Sequence, residues 1–150
     1  MITPVAELAA TRGRILGVDF GDRRTGLAIS DVSRFLAGGI GTVSPGGIAA
    51  TVKAVAEIAA EQGAVAAVVG LPRNMDGTEG SRAERCREFA LMLADEAGIP
   101  VAMTDERLTT VAASRYLNET DTRGKKRKGV IDTLSAEIIL QNTLDRLRNL

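Results

Sequence analysis

Apolar positions in this chain alternate between short continuous runs and helically spaced stretches, and the order of the two predicts its architecture. Arg14–Phe20 (RILGVDF) reads as a buried strand and Thr25–Ser30 (TGLAIS) as a second. The intervening GDRR suits a hairpin link, with Gly21 and Asp22 as turn formers. Phe35–Val43 predicts a third strand, weakened by its glycines, before Ser44-Pro45-Gly46-Gly47 breaks the chain. Ile48, Val52, Val55, Ile58 and Ala59 then recur at helical spacing across Ile48–Gln62, and Gly63 stops that helix. Ala64–Gly70 (AVAAVVG) is the short unbroken run of a strand covered on both faces. After a polar loop, Ser81 is placed to cap a helix over Arg82–Ala97, with Glu84 completing a capping box. Pro100–Thr104 predicts another strand, Thr109 the cap of a helix to about Asn118, and a basic loop leads to a last helix from about Val130 to Leu147.

Three strands with hairpin-length links, followed by strand–helix–strand units, predict an α/β fold. The expected form is a five-stranded mixed sheet, antiparallel at one side and parallel at the other, with helices on both faces. A chain of 150 residues fits one domain, taken here as 14–150 with residues 1–13 as a short tail or frayed helix. The longest apolar candidate, Ala64–Leu71, is too short to span a bilayer. The N-terminal residues lack the basic cluster of a signal peptide. With a lone Cys86, which suits a reducing compartment, this predicts a cytoplasmic protein with no membrane partner. Histidine is absent altogether, which removes the usual general base, the catalytic triads and the common zinc sites.

Against that apolar background acids stand out at three places. Asp19 shares a strand face with Ile15 and Gly17, where a carboxylate is costly to bury unless it is paired or binds a cation. Asp105 and Glu106 stand at the end of the strand from Pro100, and by alternation only one of them can share Asp19's face. Asp132 lies on the helical face of Ala136, Ile139 and Thr143, with Ile131, Leu134 and Ile138 forming a separate apolar stripe. Each has an ordinary structural explanation alone: a turn cap, a solvated strand end, an acid near a helix N-terminus. Converging, they would suit Mg²⁺ or Mn²⁺, which prefer oxygen ligands and permit phosphodiester hydrolysis without histidine.

Net charge is zero, but residues 107–150 carry 9 basic and 5 acidic side chains while residues 1–106 carry 10 and 14. Three of the four lysines, Lys125, Lys126 and Lys128, sit with Arg127 in one run suited to backbone phosphates. Arg23, Arg24 and Arg107 adjoin the candidate acids, and the loop VVGLPRNMDGTEG offers backbone N–H groups near a helix start.

With these segments assembled, the chain resembles the YqgF family, described both as Holliday-junction resolvases and as nucleases that mature precursor small-subunit ribosomal RNA. The resemblance rests on GVDFGDRRTGLAIS (17–30), VVGLPRNMDGTEG (68–80), TDERLTT (104–110) and IDTLSAEIILQ (131–141), in the family's order. It implies a ribonuclease-H-like fold and a two-ion Mg²⁺ or Mn²⁺ site at Asp19, Glu106 and Asp132, with Glu106 preferred to Asp105 by the family's pattern. Arg24, Arg107 and Thr109 fall at motif positions as substrate-binding or site-ordering residues, joined by Lys125, Lys126, Arg127 and Lys128. The implied partners are precursor ribosomal RNA or branched DNA, with ribosomal particles among them, for a monomer or homodimer. The alternative is a nucleic-acid-binding module that keeps the fold without cleavage. An actin-like kinase or phosphatase fragment is disfavoured, because such enzymes close two domains around ATP.

Overall fold

The computed structural model describes residues 1–74 and 76–105, the backbone from 124 onward, and side chains again from 131. A 3₁₀-helix (Val5–Ala10) precedes β1 (Arg14–Asp19), β2 (Thr25–Ser30), β3 (Ala37–Val43), α1 (Ile48–Gln62), β4 (Ala64–Leu71), α2 (Ser81–Ala97), β5 (Val101–Asp105) and α3 (Gly124–Arg148). The five strands form one sheet in the order β3-β2-β1-β4-β5. β1 pairs antiparallel with β2, and β2 with β3, as the hairpin links predict. β4 runs parallel to both β1 and β5, the crossover geometry expected of strand–helix–strand units.

Alternation divides the core. Leu16 and Val18 of β1, and Phe20 just after it, face α1 and α2 with Val52, Val55, Phe89 and Leu93. Ile15, Ala28, Val68 and Ala102 face α3 through Ala136, Ile139, Leu140 and Leu144. α3 comes unusually close to the sheet because glycines receive it. A Cβ on Gly17 would stand 2.7 Å from Leu140 Cβ, and one on Gly26 only 2.0 Å from the Asp132 carbonyl oxygen. Along α3, Asp132's apolar companions Ala136, Ile139 and Thr143 are buried, while Ile131, Leu134 and Ile138 are half-buried.

Several boundaries differ from expectation. β3 starts at Ala37 because the amides of Phe35 and Leu36 donate to Asp31 Oδ1, a turn that keeps both residues out of the ladder. Gly80, not Ser81, holds the N-cap position of α2, without a side-chain cap, so the capping box is not formed. α3 begins at Gly124, which places Lys125–Lys128 in its first turns rather than in a loop; lysine and arginine are good helix formers. The helix expected from Thr109 to Asn118 lies outside the described residues.

The first thirteen residues are not a frayed tail. Leu8 is fully buried against the α3 layer, Val5 is nearly so, and Thr3 N–H donates to Val101 O at 2.8 Å. Arg34 ties the segment down through Gly13 O (2.7 Å), Leu8 O (2.9 Å) and Thr11 Oγ1 (2.7 Å). No helix among the described residues is long and apolar enough to cross a membrane.

Candidate active site

Asp19 ends β1 on the face turned to α3 and is 8% exposed. Its antiparallel partner on β2 is Gly26, and cross-strand partners stand about 5 Å apart between Cα atoms. Gly26 is also where the α3 backbone touches the sheet, at the Asp132 carbonyl. The absence of a side chain on Gly26 therefore lets α3 deliver Asp132 to the neighbourhood of Asp19. Asp132 itself is held from the β1–β2 turn, where Arg24 Nε donates to Oδ2 at 2.7 Å. The buried Thr25 hydroxyl closes that turn on the Gly21 backbone.

The turn also reaches the opposite layer. Phe20 stacks on Phe89 of α2 with ring centroids 4.4 Å apart, so the first turns of α2 face the turn carrying Arg23 and Arg24. Between them lies a cleft of about 210 Å³ lined by Phe20, Gly21, Asp22, Arg23, Arg24, Arg82, Arg85 and Asp132. Asp19 lies in the sheet and is not one of its walls. Arg85 reaches Asp22 at 3.6 Å and Glu88 at 3.3 Å.

Asp105 ends β5 exposed, and alternation from Val101 and Met103 puts it on the α1–α2 face, opposite to Asp19. Glu106, Arg107 and Thr109 lie outside the described residues, as do the side chains of Lys125, Lys126, Arg127 and Lys128. The backbone nonetheless places this basic run on the helix that carries Asp132, with Lys128 one turn before it. Among the described residues no three His, Cys, Asp or Glu side chains group closely enough to hold a metal ion. Asp19 and Asp132 each offer only carboxylate oxygens, donors of the kind that fit a hard cation such as Mg²⁺ or Mn²⁺.

In the loop after β4, expected to offer amides to phosphate, three amides are used internally. Asn74 N–H donates to Thr78 O and Gly77 N–H to Asn74 O, both at 2.8 Å, while Thr78 N–H donates to Asp76 Oδ1. Glu79 joins this loop to α2 through Arg87; that hydrogen bond, helped by the Arg87 and Arg73 charges, holds its carboxyl below the ordinary range. Sequence reasoning missed Arg82 and Arg85 as cleft residues. The one signal for them was a pair of arginines spaced i, i+3 at a helix start; the packing of α2 on the sheet, the Phe20–Phe89 stack included, brings that start to the β1–β2 turn.

This arrangement has the architecture of the ribonuclease-H-like class. The chain superimposes on Thermus thermophilus RuvC, solved with a Holliday junction substrate, with a TM-score of 0.57 at 16% identity, covering 91% of this chain and 96% of that one. The Fowlpox virus resolvase bound to Holliday junction DNA aligns with a TM-score of 0.50 at 12% identity, over 87% of this chain and 98% of that one. The chain belongs to the RuvX family, described as Holliday junction resolvase, which matches residues 13–146. Relatives named "Putative pre-16S rRNA nuclease" are 45% identical in Rhodopseudomonas palustris, over 97% of this chain and 93% of that protein, and 46% identical in Moorella thermoacetica, over 89% and 96%. Membership in this family makes the protein a nuclease.

Proposed function

We propose that the protein is a divalent-metal-dependent nuclease with Asp19, Glu106 and Asp132 as its carboxylates, acting on the precursor of small-subunit ribosomal RNA. One observation carries the site: the contact of α3 with Gly26, which sets Asp132 beside the strand pair that holds the buried Asp19. Glu106 is taken as the third acid on the family's pattern, and the side of β5 on which Asp105 lies, opposite to Asp19, supports that choice over Asp105. The substrate reading is supported by the names of the relatives. A four-way DNA junction is the second reading, favoured by the description of the family; a resolvase would need two such sites acting together, hence a homodimer.

Bound Mg²⁺ or Mn²⁺ would acidify water for attack and offset charge developing around phosphorus, in the two-ion arrangement expected of such sites. The chain's own part is placement. β1 fixes Asp19 in the sheet, Arg24 orients Asp132, and Arg107, Thr109 and Lys125–Lys128 position the strand. An unprocessed ribosomal particle would be the natural partner of such an activity.

The test is cleavage of precursor ribosomal RNA and of a four-way DNA junction by wild type and Asp19→Asn, with Mg²⁺, Mn²⁺ or EDTA. Metal-dependent cuts in RNA that vanish in the variant support the reading. Preferential cutting of the junction selects the second reading. Equal binding by both proteins with no cleavage in any metal leaves a non-catalytic binding module.

A further inference from the structure

The cleft beside Asp132 holds more positive charge than its own carboxylates require. Arg23, Arg24, Arg82 and Arg85 line it against Asp22 and Asp132. Two of these arginines are engaged by the protein: Arg24 by Asp132, and Arg85 by Asp22 and Glu88. Arg23, in the β1–β2 turn, and Arg82, in the first turn of α2, are exposed and make no side-chain hydrogen bond or ion pair among the described residues. They come from opposite sides of the cleft, and the Phe20–Phe89 stack fixes the elements that carry them.

We propose that Arg23 and Arg82 form a phosphate subsite that grips one phosphodiester of the nucleic-acid strand next to the bond cleaved at the carboxylates. The assignment rests on the nuclease reading for its occupant. Guanidinium groups present paired N–H donors that match phosphate oxygens and stay charged at any working pH. At about 210 Å³ the cleft is smaller than the roughly 300–1,000 Å³ of a typical small-molecule pocket, a size that suits a phosphodiester group. The neighbouring loop cannot do this work with its Asn74, Gly77 and Thr78 amides, which already have partners. Arg85 contributes indirectly, by neutralising Asp22, which would otherwise repel the anion.

The test measures binding of a fluorescein-labelled single-stranded RNA to the full chain by anisotropy, in EDTA so that no metal-dependent cutting intervenes. Salt is varied between about 50 and 200 mM KCl, and wild type is compared with R23A/R82A and R23K/R82K. Loss of one phosphate contact is expected to make the slope of log K against log salt shallower by about 0.7 in the alanine variant. The lysine variant should retain most of the wild-type slope. In cleavage assays the alanine variant should raise KM by a larger factor than it lowers kcat. Both side chains are exposed, so thermal unfolding should match wild type. Identical slopes for wild type and R23A/R82A overturn the subsite, even where wild type cuts and Asp19→Asn does not. A shallower slope in R23A/R82A, with no cleavage by wild type in any metal, keeps the subsite and overturns the nuclease reading.

Discussion

Among the described residues Asp132 is held by one guanidinium, and the two side chains of that pair are 38% and 22% exposed. A pair so open to solvent contributes at most about 1 kcal/mol to stability. Its value lies in orientation. Arg24→Ala should therefore leave the urea midpoint almost unmoved while lowering cleavage by about 10–100-fold, the usual cost of losing a group that orients a metal ligand. One turn along the helix, the Ser135 hydroxyl is buried with no hydrogen-bond partner among the described residues. Removing an unsatisfied buried hydroxyl is neutral or stabilising. Ser135→Ala should gain up to about 1 kcal/mol in urea unfolding; a clear loss would mean that the hydroxyl is bonded in solution.

Among the elements, the contact of α3 with the hairpin sheet is the one on which the site depends. Gly26→Ala would push a methyl group into the Asp132 carbonyl. It should cost about 1–3 kcal/mol, as overpacking does, and should abolish cleavage by lifting Asp132 from Asp19. Gly38→Ala, on β3 with open space around the new Cβ, should stay within about 0.5 kcal/mol of wild type. The strands and α1 were legible because burial imposes its period on the sequence, and so was Asp19, as an acid on a buried face. Asp132 was legible as an acid on the face of α3 that packs against the sheet. Contacts distant along the chain were not legible. Nothing local in VAELAA announces that Leu8 is buried, and nothing in DVSRF shows that Arg34 will clamp it. Gly80 displaced Ser81 at the α2 cap, where Glu79, the expected box's neighbour, pairs instead with Arg87. Arg82 and Arg85 reach the cleft through the packing of α2 on the sheet, in which two phenylalanines far apart in sequence stack.

Taken whole, the molecule is a sheet with two apolar layers whose α3 side is completed by its own N-terminus. Arg34 is the fastener, bonded to Gly13, Leu8 and Thr11. Arg34→Ala should lower stability by about 2 kcal/mol, the range for charged hydrogen bonds that are partly solvated, and should expose the first residues to protease. Leu8→Ala should cost about 2–5 kcal/mol as a core truncation. Neither change touches the cleft, so both should act on lifetime at elevated temperature before they act on cleavage. Joint action of Asp19 and Asp132 on a phosphodiester is tested by mapping cleavage of precursor ribosomal RNA by wild type, Asp19→Asn and Asp132→Asn, with Mg²⁺, Mn²⁺ or EDTA. Metal-dependent cuts are expected that fall by at least about 10²–10³-fold in each variant, while RNA binding changes little. Cleavage at the wild-type rate by either variant, or cleavage that persists in EDTA, would contradict it.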